Sequence, residues 1–280
     1  MRDVPVSAVT DAVARLFMEA NYRLPPDVEA AVRAAAESEP WQPARSALET
    51  ICRNIDVAGE GRFPLCQDTG MVTVWLSVGQ EAHFTGGSLC DAVNEGVRRG
   101  CRDGYLRASV VGDPLRRKNT GDGAPAVIHC DIVPGDGVKI ELMPKGFGSE
   151  NMSRTAMLKP ADGVEGVRAF VLRAVAEAGP NPCPPVALGI GIGGGLDKAA
   201  EMAKHALLRP FGEHNPDAYY AALEHELLES VNALGIGPQG FGGRTTALSV
   251  AIETYPTHIA GLPVAVNICC HVCRRGCAEV

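Results

Sequence analysis

Three short cysteine-centred segments hold the residues of this chain best suited to chemistry. Pro64-Leu65-Cys66-Gln67-Asp68-Thr69-Gly70 sets a thiol, an amide, a carboxylate and a hydroxyl between a proline and a glycine, which favour a turn. Asn181-Pro182-Cys183-Pro184-Pro185 places a second thiol among prolines, which fix the backbone and remove competing amide donors. Asn267-Ile268-Cys269-Cys270-His271 adds two thiols and an imidazole. Thiolates are soft ligands that suit iron–sulfur clusters and zinc, so a metal held by one cysteine from each segment is the chemistry to test. Spacing alone does not decide it, because no pair among Cys66, Cys183 and Cys270 forms a local motif. Cys270-x-x-Cys273 is the more obvious metal pair, with Cys269, His271 and Cys277 beside it. Structural zinc, however, wants a second such pair or a histidine pair.

Ten cysteines in 280 residues fall well short of a disulfide scaffold. Most of Cys52, Cys90, Cys101 and Cys130 are expected to be small buried hydrophobes. The N-terminus lacks a continuous hydrophobic stretch of the signal-peptide kind, and no run approaches the roughly 20 apolar residues that cross a bilayer. A cytoplasmic location with reduced thiols is the expectation. A net charge of -7 argues against nucleic-acid binding, which needs a basic face. It leaves room for a local pocket of arginine and lysine that takes a small anion.

The elements that must position these segments follow from periodicity. Val6, Val9, Val13, Leu16 and Phe17 recur at helical spacing, and Pro25-Pro26 opens a second helix with Val28, Val32 and Ala35 on one stripe. A third helix runs from about 42 to 55. Strand alternation appears over 71–78, and a helix follows Gly86-Gly87-Ser88 to about Cys101. Segments 126–133 and 138–143 flank Pro134-Gly135-Asp136-Gly137, which predicts a hairpin. Helices over 164–178, 197–208 and 216–234 and strands over 185–192, 246–254 and 262–268 complete the chain. The class is α+β: a helical N-terminal segment of about 60 residues, then mixed, largely antiparallel sheets flanked by helices. The whole of 1–280 reads as one domain without internal repeats.

Glycine clusters at 146–148, 189–195 and 235–243 permit close backbone approach. Gly189, Gly191 and Gly194 satisfy G-x-G-x-x-G, but no second strand carries the acidic residue that a dinucleotide site requires. Tight turns beside a buried site are the expected role.

PLCQDTG, KGFGSENMS, MLKPADGVEGV, NPCPP, GIGIGG, ALLRPFGEHNPD, LGIGPQGFGG and HIAGLPVAVNICCHVCRR occur in this order. Together they resemble the α subunit, or N-terminal half, of the iron–sulfur hydro-lyases: class I fumarate hydratases and L-tartrate dehydratases. The resemblance spans about residues 5–276. It implies a [4Fe-4S] cluster held by Cys66, Cys183 and Cys270, with a fourth iron open to substrate. It places Gln67 and Asp68 beside a small dicarboxylate, Arg107 on a carboxylate, the backbone of Gly146 to Gly148 along the substrate, and His258 close to it. Cys269, Cys273 and Cys277 crowd the third ligand, and Cys269 is a rival to Cys270. Adjacent strand residues face opposite ways, so only one of the two can serve.

Such a site would remove water from malate or tartrate, the open iron acting as a Lewis acid on the leaving hydroxyl. Asp68 would give that hydroxyl a proton, while Gln67 and Arg107 fix orientation. The plainer alternatives are a turn cap for Asp68 and a surface ion pair for Arg107. Longer family members carry the base and further cationic groups in a second half. The resemblance therefore implies a separate β subunit, a hetero-oligomer, and no activity from this chain alone. A metal or iron–sulfur sensor without catalysis is the reading from a different class.

Overall fold

The computed structural model describes residues 1–61 and 63–280. In chain order the elements begin with β1 (Arg2–Pro5), α1 (Val6–Tyr22), α2 (Pro26–Ser38), α3 (Gln42–Gly59), β2 (Met71–Gly79) and β3 (Ala82–Thr85). α4 (Leu89–Asp103), β4 (Val127–Val133), β5 (Val138–Lys145), the four-residue α5 (Phe147–Glu150), β6 (Arg154–Leu158) and α6 (Gly163–Ala178) follow. The chain closes with β7 (Val186–Gly193), α7 (Leu196–His205), α8 (Ala218–Asn232), β8 (Ala247–Tyr255), β9 (Leu262–Cys269) and β10 (Gly276–Glu279). The class is α+β, and among the described residues three of the seven strand pairings are parallel. Among the described residues no helix is long and apolar enough to cross a membrane.

Contacts divide the chain into two compact units, each assembled from distant segments. Unit one comprises Met1–Pro25, Ile55–Phe147 and Arg274–Val280; unit two comprises Pro26–Asn54 and Gly148–Cys273.

Unit one is built on a sheet of order β10-β5-β2-β4, in which only β2 and β4 run parallel. Its core joins Val72, Val74 and Leu76 of β2 and Ile140 and Leu142 of β5 to Val9, Val13 and Phe17 of α1 and Val97 of α4. A hairpin between β4 and β5 was the sequence expectation, and the pairing corrects it. β2 lies between these strands, parallel to one and antiparallel to the other. The Pro134–Gly137 turn instead wraps the end of β2, where the Gly79 N–H donates to Gly137 O at 2.8 Å and the Glu81 N–H to Gly135 O at 3.0 Å.

Unit two is built on a sheet of order β6-β9-β7-β8, in which only β7 and β8 run parallel. Alternation along β7 explains its continuous apolar run. Leu188 and Ile190 join Val171 of α6, Leu227 of α8 and Ile268 of β9 in one core. Gly189 and Gly191 point the other way, onto α7, where an added Cβ would collide with the carbonyl oxygens of Ala203 and Ala199. Helix–strand packing, rather than ligand approach, therefore accounts for Gly189 and Gly191.

The Arg209–Asp217 block closes on a buried carboxylate. Glu224, 1% exposed, accepts hydrogen bonds from Arg209 Nη1 (2.5 Å), Asn215 N (3.0 Å) and Ile252 N (2.7 Å), and Arg209 Nη2 donates to Ile252 O (2.6 Å). A buried charge is tolerated when it is paired and hydrogen-bonded in this way. This block is structural.

Candidate functional site

In unit one the Cys66 segment forms a tight arm ahead of β2. The Asp68 N–H donates to Cys66 Sγ at 3.4 Å, and the Cys66 thiol reaches Gln67 Oε1 at 3.4 Å. Cys66 is half-buried and the Gln67 side chain is exposed. Asp68 is the organising acceptor. Its Oδ1 takes the Gly70 N–H (3.0 Å) and Arg107 Nη2 (3.0 Å), and its Oδ2 takes the Phe147 N–H (2.9 Å). The Asp68–Gly70 contact closes a local turn, so Asp68 does cap one, and it does more besides.

Gly70 has φ +77° and lies so close to the Lys145 carbonyl that no side chain would fit. Gly146 faces Asp68 less tightly: a Cβ there would stand 3.2 Å from Oδ2. Arg107, on the loop after α4, also donates from Nε to Ser109 Oγ at 3.3 Å, and its side chain is 58% exposed. Arg107, Asp68 and the Gly146-Phe147 backbone are thus brought together. Gly148 is exposed, with open space where a side chain would project.

Beneath this arm lie two residues that sequence reasoning did not single out, Asn21 and Arg274. Arg274 is 2% exposed and donates to Asn21 Oδ1 (2.7 Å), Asp68 O (2.6 Å) and Pro144 O (3.3 Å). Asn21, 0% exposed, accepts the Leu65 N–H on its main-chain oxygen at 2.8 Å. The available signal was a polar residue on the apolar stripe of the first helix, four positions after Phe17. For Arg274 it was the arginine pair after a cysteine-rich strand, although nothing local says which arginine turns inward.

In unit two Cys183 occupies an exposed turn with φ +55°, a left-handed conformation that costs a non-glycine residue about 1–3 kcal/mol. Its carbonyl oxygen accepts from His271 Nδ1 at 3.0 Å, and the next carbonyl, of Pro184, accepts from both the main-chain N–H and the side-chain Nε2 of Gln239, each at 2.8 Å. Gln239 lies in the 235–243 glycine cluster, so these tight turns do brace a cysteine. Burial pushes the His271 imidazole below its usual range, opposed by the hydrogen bond to Cys183. The ring is therefore neutral near pH 7, with its Nδ1–H donating. Through His271 the Cys183 turn and the Cys270 segment come together.

Cys269 and Cys270 part as neighbours at a strand end should. Cys269 is 3% exposed inside the sheet, opposite Ala187, whereas Cys270 is half-buried. Cys273 is 0% exposed, and its thiol points to Leu207 O at 3.9 Å. The expectation that the four upstream cysteines are mostly core residues needs correction. Only Cys101 is buried; Cys52 is half-buried, while Cys90, at the start of α4, and Cys130, on an edge strand, are exposed.

His258 is not brought to Cys183 and Cys270. It sits on the exposed loop before β9, its Nδ1 accepting the Ala260 N–H at 3.2 Å beside a pocket lined by Tyr219, Tyr220 and Ile259. Cys270 follows the other end of β9, and eight residues at roughly 3.3 Å each put about 25 Å between the two ends. Strand length alone keeps His258 away from these cysteines within the unit.

Among the described residues no three His, Cys, Asp or Glu side chains gather closely enough to hold a metal ion by themselves. Cys66 belongs to unit one, and Cys183 and Cys270 to unit two. The donor set nonetheless suits an iron–sulfur cluster in type and accessibility. Each of the three thiols is reachable from solvent, Cys66 and Cys183 on braced segments and Cys270 just past the end of β9, unlike Cys269, Cys273 and Cys101.

Comparison with known proteins bears on this arrangement. The family model for fumarate hydratase (Fumerase) matches residues 10–279. A protein of Methanocaldococcus jannaschii named "Putative L(+)-tartrate dehydratase subunit alpha" is 42% identical over 278 residues, covering 97% of this chain and 97% of that protein. The L(+)-tartrate dehydratase subunit alpha of an Escherichia coli strain is 34% identical over 279 residues, covering 98% and 91%. That of Shigella sonnei is 33% identical over 275 residues, covering 97% and 90%. The α+β architecture and these matches define a chain of the hydro-lyase class. It belongs to the fumarate hydratase (Fumerase) family, which is iron–sulfur dependent.

Proposed function

We propose that this chain is the α subunit of a [4Fe-4S]-dependent hydro-lyase that interconverts fumarate and malate, with Cys66, Cys183 and Cys270 as the cluster ligands. The observation that carries the reading is the split among the cysteines. The three that the family pattern selects are solvent-accessible, while Cys269 and Cys273 beside the third are sealed in the core. Burial of Cys269 supports Cys270 as the ligand.

When bound, the cluster supplies a Lewis-acidic iron that polarises the leaving hydroxyl. The chain's own residues do the rest. The Asp68 amide points at Cys66 Sγ, the kind of hydrogen bond that tunes cluster thiolates. Arg107 offers an exposed guanidinium for a substrate carboxylate, and Asp68 holds it in place until substrate arrives. Gln67, exposed next to Cys66, can orient the same substrate. Gly146 edges the arm without a side chain to obstruct it, and the Phe147 N–H is fixed on Asp68. Once Arg107 has turned to the substrate, the Asp68 carboxylate would take up a proton from solvent and pass it to the departing hydroxyl. The base on the opposite face, and further cationic groups, come from a separate β subunit.

A second reading, the α subunit of an L-tartrate dehydratase, is favoured by the names of the relatives. The substrates of the two dehydrations, malate and tartrate, differ by one hydroxyl. One experiment tests the proposal. The chain is reconstituted anaerobically with iron and sulfide, then assayed with fumarate, malate and L-tartrate, with and without its β partner. Activity toward one substrate pair only in the presence of the partner is expected. Full activity from this chain alone would sink the half-site reading, and a colourless protein that binds only zinc would sink the cluster.

A further inference from the structure

We propose that Asn21 and Arg274 are a positioning pair that presents the Cys66-Gln67-Asp68 arm, clamping it at both ends from below. The inference rests on the reading of Cys66 as a cluster ligand.

The clamp is visible in four hydrogen bonds. Asn21 O takes the N–H of Leu65, just before Cys66, at 2.8 Å. Arg274 Nη2 donates to the carbonyl of Asp68, two residues after Cys66, at 2.6 Å. The two clamping residues are themselves joined, Arg274 Nη1 to Asn21 Oδ1 at 2.7 Å, and Arg274 Nε reaches Pro144 O at 3.3 Å. Asn21 is in turn fixed to its own helix, donating from Nδ2 to Phe17 O at 2.8 Å. The tetrapeptide that carries the thiol, the amide and the carboxylate is thus tied at its first N–H and its last C=O. Both ties lead to one buried pair.

The chemistry of Arg274 argues for more than stability. A buried guanidinium ordinarily finds a carboxylate, because an uncompensated charge is expensive to bury. Here all three acceptors are neutral oxygens. A planar fork reaching three acceptors in three directions is a task that a lysine point charge does poorly. Its position also matters: Arg274 follows Cys270 by four residues, so the segment bearing the third cysteine continues directly into the residue that holds the first cysteine's arm.

The test uses the full chain and four variants: Arg274→Met, Arg274→Lys, Asn21→Ser and Cys66→Ser. Amide hydrogen exchange is followed at residues 65–70 and across α1 and β2. Cluster half-life is followed by visible absorption under a chelator after anaerobic reconstitution. In Arg274→Met, exchange at 65–70 should rise about tenfold with α1 and β2 little changed, and cluster half-life should fall about tenfold or more, as for other outer residues that orient metal ligands. Arg274→Lys should restore only part of either effect. Asn21→Ser, which keeps the guanidinium, should move both readouts in the same direction, and covers the case in which Arg274→Met does not fold. Cys66→Ser should lose the cluster while exchange at 65–70 stays near wild type. Unchanged exchange and half-life in Arg274→Met would overturn the proposal. So would full rescue by lysine, or an equal rise across α1 and β2. A wild-type chain that takes up no cluster refutes the cluster reading instead, and the exchange pattern still decides whether the pair positions the arm.

Discussion

The two four-stranded sheets of this protein solve one topological problem twice, with different materials. In each, a first strand (β2 or β7) is joined through helical crossover to a parallel edge strand (β4 or β8). A third strand (β5 or β9) then returns antiparallel on the first strand's other side, and a short antiparallel strand (β10 or β6) completes the sheet. The functional segments occupy matching places. Cys66 and Cys183 lie just ahead of the first strands; Gly146-Phe147 and Cys270-His271 lie just after the third. Within each unit a hydrogen bond ties those two places, Phe147 N–H to Asp68 Oδ2 in unit one and His271 Nδ1–H to Cys183 O in unit two.

The materials differ at every step. Unit one fills its first strand with Val72, Val74 and Leu76 and holds its arm with charged groups, Arg107, Arg274 and Asp68. Unit two thins its first strand with glycines so that α7 can press against it, and holds its arm with prolines, a glutamine and a neutral imidazole. An arm held by charges can exchange partners with an anionic substrate, because each charge is also a binding group. An arm held by prolines and carbonyl contacts cannot, and is suited to fixing ligands. Unit one's arm carries Asp68 beside its cysteine and is met by Arg107 from the loop after α4, whereas unit two's arm sets no charged side chain beside Cys183.

The largest effect that would break this comparison concerns the ligands themselves. Cys66→Ser, Cys183→Ser and Cys270→Ser should each abolish cluster retention, measured as iron and acid-labile sulfide per chain, although they sit on arms of opposite character. Cys269→Ser should keep the cluster, because that side chain is sealed inside the sheet. Loss with Cys269→Ser and retention with Cys270→Ser would place the ligand one residue earlier.

A second, smaller effect sharpens the contrast in packing. Gly191→Ala sets a methyl against the Ala199 carbonyl of α7, and overpacking against backbone should cost unit two about 3 kcal/mol. Ile140→Val, which removes one methylene from the fully buried core of unit one, should cost about 0.5–1.5 kcal/mol. Urea unfolding of the two variants measures the difference. Equal losses would mean that β7 tolerates side chains as β2 does, and that its glycines have another purpose.

These contrasts also show where the sequence is legible. Helices with one apolar stripe, such as 6–22 and 163–178, declare themselves because 3.6-residue periodicity is a local property. Strand positions at β5, β7, β8 and β9 are equally local. Pairing is not. The Pro134–Gly137 turn between two strand patterns says hairpin, and nothing within those residues reveals that β2 will take the middle. The repeated sheet order was invisible for the same reason. Backbone hydrogen bonds make it, and VTVWLSV and VALGIGI can serve the same strand role while sharing almost no side chains. In the site, Asp68 and Arg107 could be named from motif resemblance and do meet. Arg274 and Asn21 are separated by most of the chain, and only folding shows which arginine of the pair turns inward. His258 shows the converse, since a motif position says nothing about the strand that separates it from the cysteines.

The smallest expected effect separates a thiol of the core from a thiol of the arm. Cys101 is buried in unit one, its Sγ donating to Leu106 O at 3.4 Å. Burial, and secondarily the charge of Asp122, push its thiol up. In the unfolded chain a cysteine loses its proton near pH 8.5. Above that pH the folded chain keeps a proton that the unfolded chain has released, so unfolding liberates a proton and stability falls as pH rises. The contribution is fully present below about pH 8.5 and declines as pH climbs from there toward the raised folded value. Thermal melts at intervals between pH 7.5 and pH 10, on the order of half a unit apart, should show wild type losing stability more steeply than Cys101→Ala at the alkaline end. Cluster retention should be the same in both, since Cys101 ligates nothing. Parallel curves would mean that the buried thiol ionises as easily as a free one, and a lost cluster would mean that the division of thiols into core and arm is drawn in the wrong place.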